Sequence, residues 1–265
     1  VIELAAAVQL MAEKCGLNFD AELELATVFG TVFLASERGQ RHAHGLTAFE
    51  IAVIHLYTQE SRIYLELNGA LGGWGDLGLD AVPSFLPYTR LLTSALRKLP
   101  RAELIGYRGV YLSLEAMLNG RGVGDVLVWN ATTSCSLSPD VLQNPAFLGF
   151  DPDNQEAGDR LVFVIKLKSG VKIEHFSDKG SASEYYMTPA GVFEQNEEEA
   201  LVESGACFRI DLITLMANNI TEIQMHQVDR TNEILAEYQQ AHGKEPVALP
   251  PPALVPRLAE TVETD

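Results

Sequence analysis

The spacing of apolar residues changes near residue 100, and this change restricts the chain to a small set of folds. Before that point apolar side chains recur every three or four residues, as in Leu4, Val8 and Met11, which predicts amphipathic helices. From Leu104 onward, short apolar or alternating runs bounded by turn residues predict strands. Helices followed by many short strands are typical of an α+β fold.

Residues that start and stop helices set the expected helix boundaries. Thr47-Ala48-Phe49-Glu50 matches a capping box, and Pro100 follows the last predicted helix. The glycine-rich residues 69–78 predict a break. His42 and His44 are predicted to lie in a polar loop, because no further metal ligand follows at a suitable spacing. The predicted helices are residues 4–15, 20–35, 48–68 and 84–99.

The second half of the chain is predicted to be rich in strands. Ser169-Gly170 is predicted to be a turn between two of them, and Ser138-Pro139 begins a brief helix towards Phe147. The predicted strands are residues 105–110, 125–129, 131–136, 161–167, 171–176, 207–212 and 223–228.

One domain is expected over residues 1–243, mainly helical to residue 100 and β-rich over residues 101–230. Residues 150–160 are predicted to form an acidic loop, and residues 231–241 a last helix that stops at Gly243. Residues 244–265 are rich in proline, so a tail without fixed structure is expected there.

Composition excludes some classes of protein. The 265 residues carry a formal net charge of −17 and give a pI near 4.7, whereas nucleic-acid-binding proteins present a basic face to phosphates. An acidic surface fits a basic partner instead, through electrostatic steering. No apolar run is long enough to span a bilayer.

The cysteines and the first residue of the sequence are compatible with more than one cellular compartment. Three cysteines, Cys15, Cys135 and Cys207, do not form an even disulfide framework. The chain begins at Val1 rather than Met, as a fragment or a processed form would. A soluble protein is expected, and a secreted one is compatible with the sequence.

Glu197-Glu198-Glu199 stands directly before the apolar run Ala200-Leu201-Val202. Side chains alternate along a strand, so Glu197 and Glu199 would share one face while Glu198 points away. Two carboxylates on one face suit the cleavage of a bond that leaves a sugar cation, where one faces the cation and the other holds the incoming group. The alternative interpretation is a solvated acidic turn that only aids solubility.

Three motifs occur in a fixed order: Tyr107-Arg108-Gly109, then Thr133-Ser134-Cys135-Ser136, then Glu197-Glu198-Glu199. Together they resemble the Arg–Ser–Glu signature of mono-ADP-ribosyltransferases, and most closely the arginine-specific group with its Glu-x-Glu motif. The resemblance covers about residues 45–230, since residues 48–68 and 92–100 are also similar to helices of that family. It implies two packed sheets around a cleft that binds NAD as a substrate, without a metal.

The resemblance also implies a role for each NAD-binding residue. Arg108 would brace the NAD-binding cleft with a planar, charged fork that suits phosphate oxygens, and the Gly109 backbone would meet the nicotinamide amide. Ser134 would hold the nicotinamide-side ribose and position Glu199 by hydrogen bonds, and Phe176 would add to the NAD-binding site. Glu199 would bind the ribose 2′-hydroxyl and stabilise an oxocarbenium-like transition state.

Glu197 is implied to receive the acceptor. Its charge matches a guanidinium, and a bidentate contact would aim one nitrogen at the anomeric carbon. The expected activity is transfer of ADP-ribose from NAD to arginine side chains of a basic or arginine-presenting protein. An NAD glycohydrolase using water in the same cleft, and a non-catalytic acidic module that binds a basic protein, are the alternatives.

Two features depart from the family pattern. Cys135 occupies the middle of the Ser-x-Ser motif, where Thr or Ser is more usual, and its side chain is expected to face away from the site. The segment at residues 178–196 is longer than expected and contains Tyr185, Tyr186 and Phe193. Because this loop shapes target choice in the family, the target protein stays open.

Other motifs predict no further chemistry. Residues 120–124 are rich in glycine but precede no helical pattern, so a hairpin turn is predicted in place of a dinucleotide loop. The sequons at Asn130 and Asn219 matter only in a secreted chain. The sequence has no P-loop, no HExxH motif and no cysteine-pair zinc site, so no metal is expected.

Overall fold

A computed structural model of the chain describes residues 4–59, 61–73, 77–140, 160–177, 198–216 and 220–229. The chain divides into two units, Val1–Val228 and Asp229–Asp265, and the first contains all the elements given below. No helix among the described residues is long and apolar enough to cross a membrane. The predicted helix at residues 231–241 and the tail beyond it lie outside the described residues.

Helices fill the first hundred residues, as predicted. Thr47 Oγ1 accepts a hydrogen bond from Glu50 N over 3.2 Å, and Glu50 Oε2 accepts one from Thr47 N over 3.0 Å, which completes the capping box. The helices are α1 (Leu4–Cys15), α2 (Asp20–Ala35), α3 (Glu37–His42), α4 (Ala48–Thr58), α5 (Arg62–Gly72), α6 (Val82–Leu96) and α7 (Leu114–Leu118), with a 3-10 turn at Leu79–Ala81.

The single helix predicted over residues 48–68 is wrong, because α4 and α5 are separate helices. Gln59 takes an extended conformation with ψ of 145°, which ends α4. Ser61 Oγ then accepts a hydrogen bond from Ile63 N over 3.2 Å and starts α5. The first glycines of the glycine-rich stretch lie inside α5, which ends only before the left-handed Gly73 at φ +72°.

Two short helices lie where none was predicted. Ser36 Oγ accepts a hydrogen bond from Gly39 N over 3.0 Å and caps α3. His42 therefore ends a helix, and only His44 lies in the predicted loop. The described residues contain no group of three His, Cys, Asp or Glu that could hold a metal. The helix α7 leads into the glycine-rich turn at residues 120–124, which joins a helix to a strand and is therefore not a hairpin.

Helices α2 and α4 approach each other closely at Gly30. A Cβ atom at this position would lie 2.1 Å from the carbonyl oxygen of Ala48, which is backbone and cannot move aside cheaply. We expect Gly30→Ala to lower the free energy of unfolding by about 2–3 kcal/mol through overpacking, as measured by urea denaturation. The matched control is Gly122→Ala, since nothing lies within 4 Å of a Cβ atom there. Equal stability of the two variants would contradict the close packing.

Seven strands within the described residues form the second layer of the unit. They are β1 (Arg101–Tyr111), β2 (Val126–Trp129), β3 (Thr133–Ser136), β4 (Arg160–Lys172), β5 (Glu199–Val202), β6 (Ala206–Leu215) and β7 (Ile220–Val228). Hydrogen bonds join them in the order β1-β3-β5-β4-β7-β6-β2, with an additional pairing of β1 and β4. The pair β4–β7 is parallel and the other pairs are antiparallel. The described strands therefore form one hydrogen-bonded sheet where two packed sheets were expected, and the pairing of β1 with β4 closes β1, β3, β5 and β4 on themselves.

Strand β4 runs through the turn predicted at Ser169-Gly170, so that turn is wrong. Gly170 pairs with Ala102 of β1, and a Cβ atom on it would lie 2.7 Å from Leu104 Cδ1, so glycine permits the close packing of the two strands. Strand β4 pairs with β1 over residues 160–171 and with β7 over residues 160–166, and its last residues pair with β5. This long strand therefore brings the start of β5, at Glu199, next to the rest of the sheet.

Among the residues that the structure describes, buried hydrophobic side chains form two clusters. One lies among the helices and includes Val171 and Leu201, and the other lies against the sheet and includes Ala200 and Val202. Alternate residues of β5 thus point into different clusters. Because the residues of β5 that follow Glu199 are buried, this first residue of the strand is anchored in position.

Candidate active site

Strands β1, β3 and β5 bring together the arginine, serine and glutamate predicted from the motifs. Arg108 lies on β1, Ser134 on β3 and Glu199 at the start of β5, and all three are half-buried. Glu199 pairs with Ser136, and Ser134 lies two residues away on the same strand. The side chains of Ser134 and Glu199 therefore share one face of the sheet.

Arg108 is tied directly to the serine motif. Its Nη1 donates a hydrogen bond to Ser134 O over 2.7 Å and lies 3.4 Å from Ser134 Oγ. These contacts orient a permanently charged guanidinium beside the serine hydroxyl. Gly109 follows on β1, where it pairs with Val162 of β4. The phosphate and nicotinamide contacts assigned to Arg108 and Gly109 stay predictions.

The carboxylate of Glu199 is held by a residue that the motifs did not identify. Ser177 Oγ donates a hydrogen bond to Glu199 Oε2 over 2.5 Å. The main chain is fixed as well, since Ile173 N donates to Glu199 O over 2.9 Å. The motifs predicted that Ser134 positions Glu199. They did not identify Ser177, because a serine after a predicted strand carries no distinguishing signal.

Phe176 lies in the helical core. Its ring makes a T-shaped contact with Phe33 at 5.4 Å between centroids, and the residue is only 2% exposed. Its carbonyl oxygen accepts a hydrogen bond from His55 Nδ1 over 2.9 Å. The ring therefore packs in the helical core, and its expected contact with NAD stays a prediction.

A buried tyrosine of α4 is hydrogen-bonded to the residue just before β3. Tyr57 OH donates to Thr132 O over 2.8 Å and accepts from Asn68 Nδ2 over 3.0 Å. Burial raises the pKa of Tyr57 to about 12; the hydrogen bond from Asn68 and the charge of Arg108 lower this pKa by smaller amounts, and the charge of Glu199 raises it. The hydroxyl therefore stays protonated and fixes α4 to the residue before β3. The sequence placed Tyr57 on a helix but gave no reason to connect it with β3.

Cys135 serves the packing of the sheet. It is buried, and its Sγ lies 3.6 Å from Ala200 O. A Cβ atom on Gly106 would lie 2.5 Å from this sulfur, so the cysteine fits because β1 has a glycine here. Burial raises the pKa of the thiol to about 12, which keeps it protonated and unreactive. The expectation that this side chain faces away from Ser134 agrees with its place in the sheet core.

The role predicted for Glu197, which is to bind the arginine acceptor, is not tested by the structure. Glu197 and the segment at residues 178–196 lie outside the described residues. Glu198 is exposed, and its carbonyl oxygen accepts a hydrogen bond from Leu137 N over 2.7 Å. The contact of Glu197 with an arginine acceptor therefore stays a prediction.

Comparison with known proteins identifies the family of the chain. The sequence profile of the family NAD:arginine ADP-ribosyltransferase matches residues 25–216. The chain belongs to this family. Within it, the ADP-ribosyltransferase Vis of Vibrio splendidus (strain 12B01) is 33% identical over 147 residues, which is 55% of this chain and 50% of Vis. The match thus spans half the length of that relative. The family predicted from the motifs is confirmed.

Solved structures share the fold of this member of the NAD:arginine ADP-ribosyltransferase family. The crystal structure of Vis in complex with agmatine is 28% identical, covers 81% of this chain and 87% of that one, and gives a TM-score of 0.51. The eukaryotic mono-ADP-ribosyltransferase ART2.2 is 20% identical, covers 84% of this chain and 85% of that one, and gives a TM-score of 0.52. The second likeness concerns the fold alone. The predicted α+β, ADP-ribosyltransferase-like fold is confirmed.

Proposed function

We propose that this family member transfers ADP-ribose from NAD to the guanidinium group of arginine side chains and releases nicotinamide. The observation that carries the proposal is the convergence of Arg108, Ser134 and Glu199 from three strands, with Arg108 hydrogen-bonded to Ser134. Vis, a member of the same family, has been crystallised with agmatine, which carries the guanidinium group of arginine. This supports arginine as the acceptor.

The chemistry requires a negative charge close to the ribose. The bond that breaks joins the ribose C1′ to the cationic ring nitrogen of nicotinamide, and its electron pair leaves with the ring, which becomes neutral. Positive charge then develops on the ribose. A carboxylate fixed in advance, as that of Glu199 is, stabilises this charge without reorganising. Arg108 supplies a guanidinium for the phosphate oxygens of NAD, and Ser134 a hydroxyl for the ribose.

The acceptor reaction forms a bond between a guanidinium nitrogen and C1′. Arginine carries its proton firmly, so the nitrogen becomes nucleophilic only as a general base takes that proton while the bond to C1′ forms. A carboxylate at Glu197 would bind the guanidinium through two oxygens and aim one nitrogen at C1′. The net charge of −17 supports a basic, arginine-presenting protein as the natural target. The description of Vis as a toxin supports a secreted, toxin-like protein.

Incubation of the protein with NAD labelled in the adenosine part, with and without agmatine, tests the function. Mass spectrometry is expected to show ADP-ribosyl-agmatine together with free nicotinamide. Free ADP-ribose alone would make the protein an NAD glycohydrolase. Unchanged NAD would overturn the catalytic proposal and leave a non-catalytic module.

The two carboxylates of the Glu-x-Glu motif are expected to have separable effects. Glu197→Gln should lower transfer to agmatine by on the order of tenfold or more, because a bidentate ionic contact with the acceptor is lost. Hydrolysis of NAD should change by less than about threefold, since water needs no such contact. Glu198→Gln is the matched control. Because Glu198 is exposed, this variant is expected to retain both reactions.

Each other outcome for Glu197→Gln contradicts the acceptor role. A parallel loss of transfer and hydrolysis would show that Glu197 acts on NAD itself. No loss in either reaction would make the residue part of a solvated acidic turn. Rates of both reactions measured on one preparation distinguish these cases.

A further inference from the structure

We propose that Ser177 is the positioning residue that fixes the carboxylate of Glu199 for cleavage of NAD. The inference rests on the proposed function and assigns to Ser177 the role that the motifs gave to Ser134. Ser177 is fully buried, at 0% exposure, and its Oγ lies 2.5 Å from Glu199 Oε2. An ionised carboxylate only accepts hydrogen bonds, so the serine hydroxyl is the donor.

The turn that carries Ser177 holds Glu199 at two points. Ile173 N donates to Glu199 O over 2.9 Å, and Ser177 N donates to Ile173 O over 2.9 Å. The residues after β4 therefore bind both the main chain and the side chain of Glu199. A hydroxyl on such a turn restricts the rotation of the carboxylate about its terminal torsion, which otherwise has a broad range.

The helical core anchors the same turn from the other side. The carbonyl oxygen of Phe176 can only accept, so the 2.9 Å contact with His55 Nδ1 places the hydrogen on that nitrogen. His55 is 2% exposed, and its ring stacks on Phe29 at 3.8 Å between centroids. The peptide that joins Phe176 to Ser177 is thus fixed to α4. The orientation of Glu199 therefore depends on the helical layer as well as on the sheet.

The two serines of the site have different partners, and this separates their roles. Ser134 contacts Arg108, whereas Ser177 donates to Glu199. Loss of Ser134 is expected to act mainly on the binding of NAD. Loss of Ser177 is expected to act on the charge that stabilises the transition state, and hence on kcat.

The test compares Ser177→Ala, Ser177→Cys and Ser134→Ala with the wild type across pH, using NAD hydrolysis and transfer to agmatine. Ser177→Ala should lower kcat for both reactions by about 10- to 100-fold, the factor associated with a hydrogen bond to a charged group. The KM for NAD should change by less than about threefold. The acid limb of the kcat profile should move about one unit to higher pH, because the lost donor favoured the ionised carboxylate.

Ser177→Cys provides an intermediate case, and Thr89→Val provides a control at a hydroxyl in helix α6. Cys keeps a weak donor, so its kcat and acid limb should lie between those of Ser and Ala, and it carries the test if the alanine variant does not fold. Thr89→Val removes a half-buried hydroxyl that donates to Phe85 O over 2.9 Å in α6, away from the motif strands, and should keep the wild-type pH profile.

The outcomes distinguish the two proposals. A folded Ser177→Ala variant with an unchanged kcat and acid limb overturns the positioning role, while an active wild type keeps the proposed function. A fall in melting temperature alone, without a shift of the acid limb, makes Ser177 a structural residue and also overturns the role. A wild type that neither hydrolyses NAD nor modifies agmatine overturns both.

Discussion

Glu199→Gln is expected to slow the cleavage of NAD by at least about a hundredfold, both with arginine and with water as the acceptor. The amide retains the size of the side chain and can still accept the hydrogen bond from Ser177, so the fold should be unaffected. What is lost is the negative charge facing the ribose cation. Removal of one preorganised electrostatic contact costs about 3 kcal/mol in the transition state, which corresponds to the expected factor.

Single-turnover measurement of nicotinamide release checks this result, because it follows bond cleavage whatever the acceptor. The matched control is Glu203→Gln, which lies just beyond β5 and forms an exposed ion pair with Arg101. Exposed ion pairs contribute little to stability, so this variant should cleave NAD at the wild-type rate. A folded Glu199→Gln variant with near wild-type release would remove Glu199 from the catalytic role.

The fold class followed from the sequence because apolar spacing reports local geometry. The helical period before residue 100 and the strands after it depend on which side chains face the core, and the structure places both as expected. The motif order was equally informative, since it predicted that Arg108, Ser134 and Glu199 lie on different strands. The register that brings them together was not visible in the sequence, because strand pairing is a long-range property.

The errors have a common physical origin in tertiary contacts that override local preference. Gly170 predicts a turn by propensity, yet it continues β4 because the strand packs tightly against Leu104. The break between α4 and α5 depends on the cap formed by Ser61, which the continuous helical pattern concealed. The period of apolar residues therefore does not reveal where a glycine allows close packing or where a serine starts a new helix.

The same limit explains why the motifs missed Ser177. A motif shows which residues share a local pattern, whereas Ser177 reaches Glu199 only because β4 ends beside β5. Burial of its hydroxyl requires a partner, and the carboxylate supplies one. The sequence therefore predicts the charged groups of the site better than the residues that orient them.

Arg108→Ala is expected to weaken the binding of NAD by at least about thirtyfold, or about 2 kcal/mol, as for the loss of one partner of a close charged contact. The substitution removes the cation proposed to bind the diphosphate. It also removes the 2.7 Å hydrogen bond to Ser134 O, so some loss of stability is expected in addition. Calorimetric titration in the Glu199→Gln background measures the affinity without consuming NAD.

Arg108→Lys separates the two contributions of this side chain. Lysine keeps the positive charge and can donate to Ser134 O, but it lacks the planar fork that binds two phosphate oxygens at once. We expect the melting temperature of Arg108→Lys to return towards that of wild type while the affinity for NAD stays reduced. If both substitutions leave the affinity unchanged in folded protein, Arg108 serves only to join β1 to β3. A full recovery of affinity in the lysine variant would show that charge alone, without the geometry of the guanidinium, binds the diphosphate.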